Sequence, residues 1–213
     1  DKFIQILMNN FFTVVLIEQV TEPPEPERKI TNIYSPGTQI NYCPSEETSN
    51  LISVYIETIP DLKKYKDTIS IGLSQIDLTT GKSIVYECFS TKDDTNKAFD
   101  EVFRFIQSHN PREIIFNVKS CPLSKDKLVS YLEIQGKTYH FIEGQDVEKA
   151  VSKLSYQRSF LEKVYVNQNK TQLSIHEYLD LEQKIYGTIS FIHLLQFAYE
   201  HNESVIQKIE KPR

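Results

Sequence analysis

Between Asn50 and Phe89 the chain alternates apolar and other residues three times over: Ile52, Val54 and Ile56, then Ile69, Ile71 and Leu73, then Ile84, Tyr86 and Cys88. A period of two is the mark of strands with one buried face. Only Thr79-Thr80-Gly81 and its neighbours separate the last two runs, which predicts an antiparallel hairpin. The period then changes. Ala98, Val102, Phe105 and Ile106 recur at helical spacing, with Thr91 and Asp94 as a capping pair before them and Asn110-Pro111 as the stop. "EIIFNV" (113–118) reads as a short buried strand, "SKDKLVSYLEIQG" (124–136) as a helix closed by Gly136, and "KTYHFIE" (137–143) as a fifth strand. In residues 146–165 Val147, Val151, Leu154, Leu161 and Val164 share one helical stripe.

The order is therefore βββαβαβα: a meander, then two helical crossovers that imply parallel pairing and helices over a mixed sheet. This α/β architecture resembles the ribonuclease H-like fold. Before it, residues 1–20 read as a helix followed by a strand. "TEPPEPE" (21–27) reads as an extended, exposed linker, and residues 28–34 as a strand ending at the Pro36-Gly37 turn. After it, Ser174 and Glu177 have capping-box spacing, and "TISFIHLLQFAYEHN" (188–202) is apolar nearly all round, the mark of a buried helix. The expected organisation is a partial α/β piece at 1–38, a linker at 39–49, the ribonuclease H-like domain at 50–165 and a helical piece at 166–213.

With 39% hydrophobic and 25% charged residues, the 213-residue chain is composed like an ordinary globular protein. A net charge of −5 gives no broad basic field for charge-driven nucleic-acid binding by this chain alone. Cys43, Cys88 and Cys121 are odd in number and lack C-x-x-C spacing, which suggests neither a disulfide framework nor zinc and points to a reducing, intracellular setting. The longest apolar run, "FFTVVLI" (11–17), is far short of a membrane span, so no membrane partner is expected. An opening Asp1 and a closing Lys-Pro-Arg lead us to expect a piece of something longer.

Gly81-Lys82-Ser83 spells the end of a phosphate-binding loop, but the required first glycine falls on Ile76, and a strand rather than a helix follows. A ribonuclease H-like nuclease needs converging carboxylates for two metal ions. The candidates by position are Glu57, Glu101 and Asn117, one of them neutral, so they read as surface and turn residues. The five histidines show no metal-binding spacing, and His193, inside an apolar helix, reads as a hydrogen-bonded core or interface residue. No nucleophile elbow is present. No catalytic residue, metal ligand or cofactor-binding residue is expected in this chain.

A family resemblance rests on three stretches. In "VVLIEQVTEP…ERKITNIYSPGT", Glu18, Gln19, Pro23 or Pro24, Arg28, Lys29, Pro36, Gly37 and Thr38 match the end of the mismatch-binding domain of the MutS family of DNA mismatch repair proteins. In "IGLSQIDLTTGKSIVYE…NPREIIF", Asp77, Thr80, Gly81, Asn110, Pro111 and Glu113 match that family's connector domain, and "GTISFIHLLQFAYEH" resembles the helix opening its core, or lever, domain. The chain resembles a divergent viral or organellar branch. The resemblance implies a non-catalytic connector that relays nucleotide state between the DNA-binding and ATPase domains of a parent ATPase and docks a MutL-type partner. It implies ATP and Mg in the parent but no cofactor here, and as partners mismatched double-stranded DNA and a second copy of the parent. The DNA-proximal candidates it leaves here are Arg28 and Lys29. The rival readings are a ribonuclease H-like nuclease and a stand-alone protein-interaction module.

Overall fold

The computed structural model describes residues 2–22, 24–38, 49–60, 67–91, 93–144, 147, 149–166, 172–201 and 208–213. A five-stranded sheet dominates it: β3 (Asn50–Ile59), β4 (Thr68–Asp77), β5 (Ser83–Phe89), β6 (Glu113–Val118) and β7 (Thr138–Glu143), in the order β5-β4-β3-β6-β7. β4 is antiparallel to β3 and β5, whereas β6 is parallel to β3 and β7 parallel to β6. A three-strand meander extended by two parallel crossover strands is the ribonuclease H-like arrangement expected from the sequence.

Both faces of the sheet are covered. On one, Ile52, Val54, Ile56, Ile71, Leu73 and Phe116 pack beneath α2 (Lys97–His109) and α3 (Lys125–Tyr131). On the other, Leu51, Tyr55, Ile76, Val85 and Ile115 pack beneath α4 (Leu154–Val164), α5 (Ile175–Tyr178) and α6 (Ile185–His201). Burial of each such side chain contributes about 1.5–3 kcal/mol. α6 approaches the sheet closely enough that a methyl group on Gly72 would overlap the Tyr186 carbonyl. Residues 185–201 thus share a core with the sheet. N-terminal to it lies a separate pair of strands, β1 (Val14–Gln19) and β2 (Arg28–Tyr34), antiparallel and preceded by α1 (Lys2–Asn9).

Local chemistry departs from expectation in four places. The expected linker at 21–27 is the loop of the β1–β2 hairpin: Val20 N donates to Glu27 O at 2.9 Å, and Thr21 Oγ1 accepts from Glu27 N at 2.7 Å. The N-cap of α2 is Asn96, which makes no side-chain capping bond, and Asp94 Oδ1, two residues earlier, accepts from the amides of Asn96 and Lys97. α3 ends before Gly136: Glu133 takes the left-handed conformation (φ 53), Glu133 N donates to Ser130 O and Ile134 N to Val129 O, with Ile134 buried. Those bonds are a Schellman motif, and burial of Ile134 holds a non-glycine residue in it. The expected stripe over 146–165 breaks at Lys153 into a 3-10 turn (Lys149–Ser152) and α4, leaving Leu154 61% exposed. The Ser174–Glu177 capping box forms as expected. Most of the expected 39–49 linker, with Cys43, lies outside the described residues.

Candidate inter-domain junction

The residues singled out as nuclease candidates do not come together. Side chains alternate faces along a strand, so Glu57, in step with Leu51 and Tyr55, and Asn117, in step with Ile115, belong to the α6 face. Glu101 is carried by α2, which covers the opposite face. Glu57 instead accepts from Lys119 Nζ at 2.7 Å and Tyr55 OH at 2.9 Å, and Glu101 accepts from Arg104 at 2.6 Å. Among the described residues no group of three or more His, Cys, Asp or Glu side chains is placed to hold a metal ion. His193 is buried, as expected of a core residue, and stacks on Tyr55 at 6.4 Å, but among the described residues its Nε2 finds no hydrogen-bond partner; burial lowers its pKa to about 4. Burial also pushes the Cys88 thiol up to about 12, so it stays protonated.

The group that does gather partners is Glu113, one of the residues that fit the family pattern. Asn110, left-handed at φ 39, ends α2, and Arg112 N donates to Asn50 O, so the Asn-Pro turn steers the chain straight into β6. Glu113 opens that strand at 0% exposure. A buried carboxylate is tolerated only with partners, and three converge on it. Oε1 meets His140 Nε2 of β7 at 2.6 Å, while Oε2 accepts from Ser35 Oγ at 2.8 Å and Gly37 N at 3.0 Å. Ser35 and Gly37 belong to the Ser-Pro-Gly-Thr turn that leaves β2, closed by Thr38 N to Ser35 O and by the Ser35–Thr38 hydroxyl contact at 2.9 Å. Ser49 Oγ donates to Gly37 O at 2.8 Å from the far side of the undescribed residues. Two of the family-like stretches, one in the N-terminal piece and one in the sheet domain, therefore meet at a single carboxylate. Beyond it, the His140 ring lies 5.1 Å from that of Phe197 on α6. Contact runs unbroken from the β1–β2 unit through Glu113 and His140 to α6.

The Asp77–Gly81 turn, in the same family-like stretch as Glu113, is built from its own side chains. Asp77 Oδ1 accepts from Thr79 N at 2.9 Å and Oδ2 from Thr80 Oγ1 at 2.7 Å, and Gly81 turns the chain at φ 79, where a side chain is strained. β5 leaves the turn, as the sequence requires, so no helix N-terminus faces Gly81. Further along β5, Glu87 Oε2 accepts from Tyr186 N at 3.0 Å at the start of α6. Burial raises the Glu87 pKa against the lowering effect of those amides and of Lys184.

No family model matches the chain. It is 29% identical over 229 aligned residues to a DNA mismatch repair protein MutS homolog of Acanthamoeba polyphaga mimivirus, covering 100% of this chain and 20% of that protein. This similarity supports the resemblance to the MutS family. The DNA mismatch repair protein MutS of Caldanaerobacter subterraneus subsp. tengcongensis is 27% identical, over 99% of this chain and 21% of its own length. The chain thus spans about a fifth of the length of the relatives it matches. Among solved structures, a Fowlpox virus resolvase in complex with substrate Holliday junction DNA aligns at 12% identity and a TM-score of 0.34, over 69% of this chain and 96% of that one. A likeness that slight carries no functional weight.

Arg28 and Lys29 sit at the loop end of the β1–β2 hairpin, both exposed, opposite Gln19 and Glu18 respectively. Lys29 Nζ lies 3.8 Å from Glu27. The structure brings neither of them to the Glu113 junction. The junction itself had no local signal in the sequence, because an acid before an apolar run also describes an ordinary strand end.

Proposed function

We propose that this MutS-family chain is a connector without catalytic chemistry of its own, relaying nucleotide state between the DNA-gripping and ATP-hydrolysing parts of a larger mismatch repair ATPase. The observation that supports this reading is the buried Glu113 carboxylate, which ties the β1–β2 unit, the sheet and, through His140, α6 into one contact path. A relay needs a coupling free energy between distant sites, carried by packed elements with alternative arrangements. The separation of Glu57 and Asn117 from Glu101 speaks against the nuclease reading. ATP and Mg act elsewhere in the parent. Mismatched duplex DNA is held by the parent as a dimer, with Arg28 and Lys29 as phosphate contacts and a MutL-type protein as docking partner.

The test is Glu113→Ala in the full-length parent. Mismatch affinity without nucleotide and ATP hydrolysis without DNA should stay within about twofold of wild type, while the change in mismatch affinity caused by ATP shrinks by about fivefold or more, the span of a typical coupling. A parent whose nucleotide response is unchanged by this substitution refutes the relay through Glu113.

A further inference from the structure

Where α6 crosses the sheet, the middle of the contact is polar. Tyr186 meets β4 at Gly72. Ser190 Oγ donates to the Ser53 carbonyl of β3 at 2.8 Å and meets Ser74 Oγ at 2.9 Å. His193 stacks on Tyr55, and Phe197 reaches His140 of β7. Spacings of three and four thus carry one stripe of the helix across the strands. Asn117 lies opposite Tyr55 in the β3–β6 register, on the same face, with Ile142 of β7 on its other side. His193, between Ser190 and Phe197 along the helix, is therefore set over the β3–β6 pair, where Asn117 stands. Ser53 precedes Tyr55 by two residues on that face.

Three side chains of this seam, each more than nine-tenths buried, have a polar atom with no hydrogen-bond partner among the described residues: Ser53 Oγ, Asn117 Nδ2 and His193 Nε2. Native structures rarely leave even one such atom unpaired, so three in one seam call for a ligand they share. Their chemistry selects it. Asn117 offers amide N–H groups, the neutral His193 ring has one N–H and one bare nitrogen, and the Ser53 hydroxyl gives and accepts. Glu57 and Lys119, farther out on this face, bind each other at 2.7 Å, so neither is left to balance an ion. A single imidazole without carboxylate or thiolate is a poor metal site. We propose that the seam binds ordered water: one molecule bridges Asn117 Nδ2 and His193 Nε2, and a second, bonded to the first, caps Ser53 Oγ. Each molecule then has the two to four polar partners that a buried water requires. The first accepts from the Asn117 amide and completes the imidazole, whichever ring nitrogen carries the proton. The hydrogen bond expected of a core histidine is thereby made to solvent taken into the fold. Tyr55 OH, Glu57 and Lys119 form the polar line from this site to the surface.

Nuclear cross-relaxation between water and the isotope-labelled 213-residue chain tests this. The side-chain amide protons of Asn117 should show cross-peaks to the water resonance with the sign of a long-lived molecule, which exposed asparagines lack. In His193→Phe, whose ring fills the bridging position, the Asn117 cross-peak should be lost while slow amide exchange in β3 reports an intact fold. A crystal structure of the chain should place an oxygen about 2.7–3.2 Å from both Asn117 Nδ2 and His193 Nε2. Four results overturn the site: no cross-peak in the wild-type chain, a cross-peak that survives His193→Phe, a direct Asn117–His193 hydrogen bond, or an ion in the place of the oxygen. Should His193→Phe fail to fold, the wild-type spectrum and the crystal structure decide. None of these measurements uses nucleotide or DNA, so the water site stands or falls apart from the relay.

Discussion

Removing the Glu113 carboxylate should cost the chain about 3 kcal/mol, with the loss localised at the turn it holds. In Glu113→Ala the buried Gly37 N–H loses its acceptor, and a buried donor left alone costs about 1–3 kcal/mol. Ser35 keeps its Thr38 partner, and His140, with its side chain 36% exposed, turns to water, so neither adds a full penalty. Loss of charge-assisted bonds, each worth about 1.5–3 kcal/mol net, is partly offset because no ion has to be desolvated. For a domain of this size about 3 kcal/mol lowers Tm by roughly 6–12 °C. Glu113→Gln keeps the shape and one acceptor oxygen for the turn, and should cost about 1 kcal/mol. Urea denaturation followed by circular dichroism gives the free energies, with an unchanged slope on denaturant showing that the same surface unfolds. Amide exchange at Gly37 locates the loss. An alanine variant within about 0.5 kcal/mol of wild type, the scale of ordinary surface changes, or a Gly37 amide no faster than before, refutes the argument.

Gly72→Ala should lose about 1–3 kcal/mol, because the new methyl group has to displace the first turn of α6; Gly136→Ala, with nothing within 4 Å, is the control and should melt near wild type. His193 gives a pH signature. Its folded pKa of about 4 lies below the ordinary 6.5, so the unfolded chain takes up the proton first. Stability is full above about pH 6.5 and falls toward pH 4 at about 1.4 kcal/mol per pH unit. His193→Phe should flatten that limb of the urea-midpoint profile, and an unchanged slope between pH 6.5 and 5 would assign the acid sensitivity elsewhere. Arg28→Ala with Lys29→Ala should leave the chain's stability within about 0.5 kcal/mol, yet lower the salt slope of duplex binding by the parent by up to about two; an unaltered slope removes both residues from the DNA surface.

The sheet was legible because Ile52, Val54 and Ile56, and likewise Ile69, Ile71 and Leu73, keep strict alternation, and period two survives any tertiary context that buries one face. The burial of the second face was not legible. Ser53, Tyr55 and Glu57 read as a solvated side until α6 lays Ser190 and His193 over them, with Ser190 Oγ donating to the Ser53 carbonyl at 2.8 Å. Turn chemistry misled where pairing decided the outcome: three prolines in 21–27 suggest a linker, but the β1–β2 register and the Val20–Glu27 bond make a hairpin of the flanking strands. Glu113 is the extreme case. Its chief partners lie 76 and 78 residues earlier, so no window of local pattern contains them, and only the ordered occurrence of the two family-like stretches hinted that they belong together.

The opposed placement of Glu57 and Glu101 bears on anyone hoping to engineer cleavage activity into this scaffold. Converting Asn117 to aspartate looks like the obvious repair on paper. It would instead trap a lone negative group at a position 1% exposed beneath α6, with a whole layer of strands between it and the acid on α2. The product would be a weakened scaffold, and a magnesium-binding pair would have to be introduced at the α2-facing positions occupied by Ile56 and Val118.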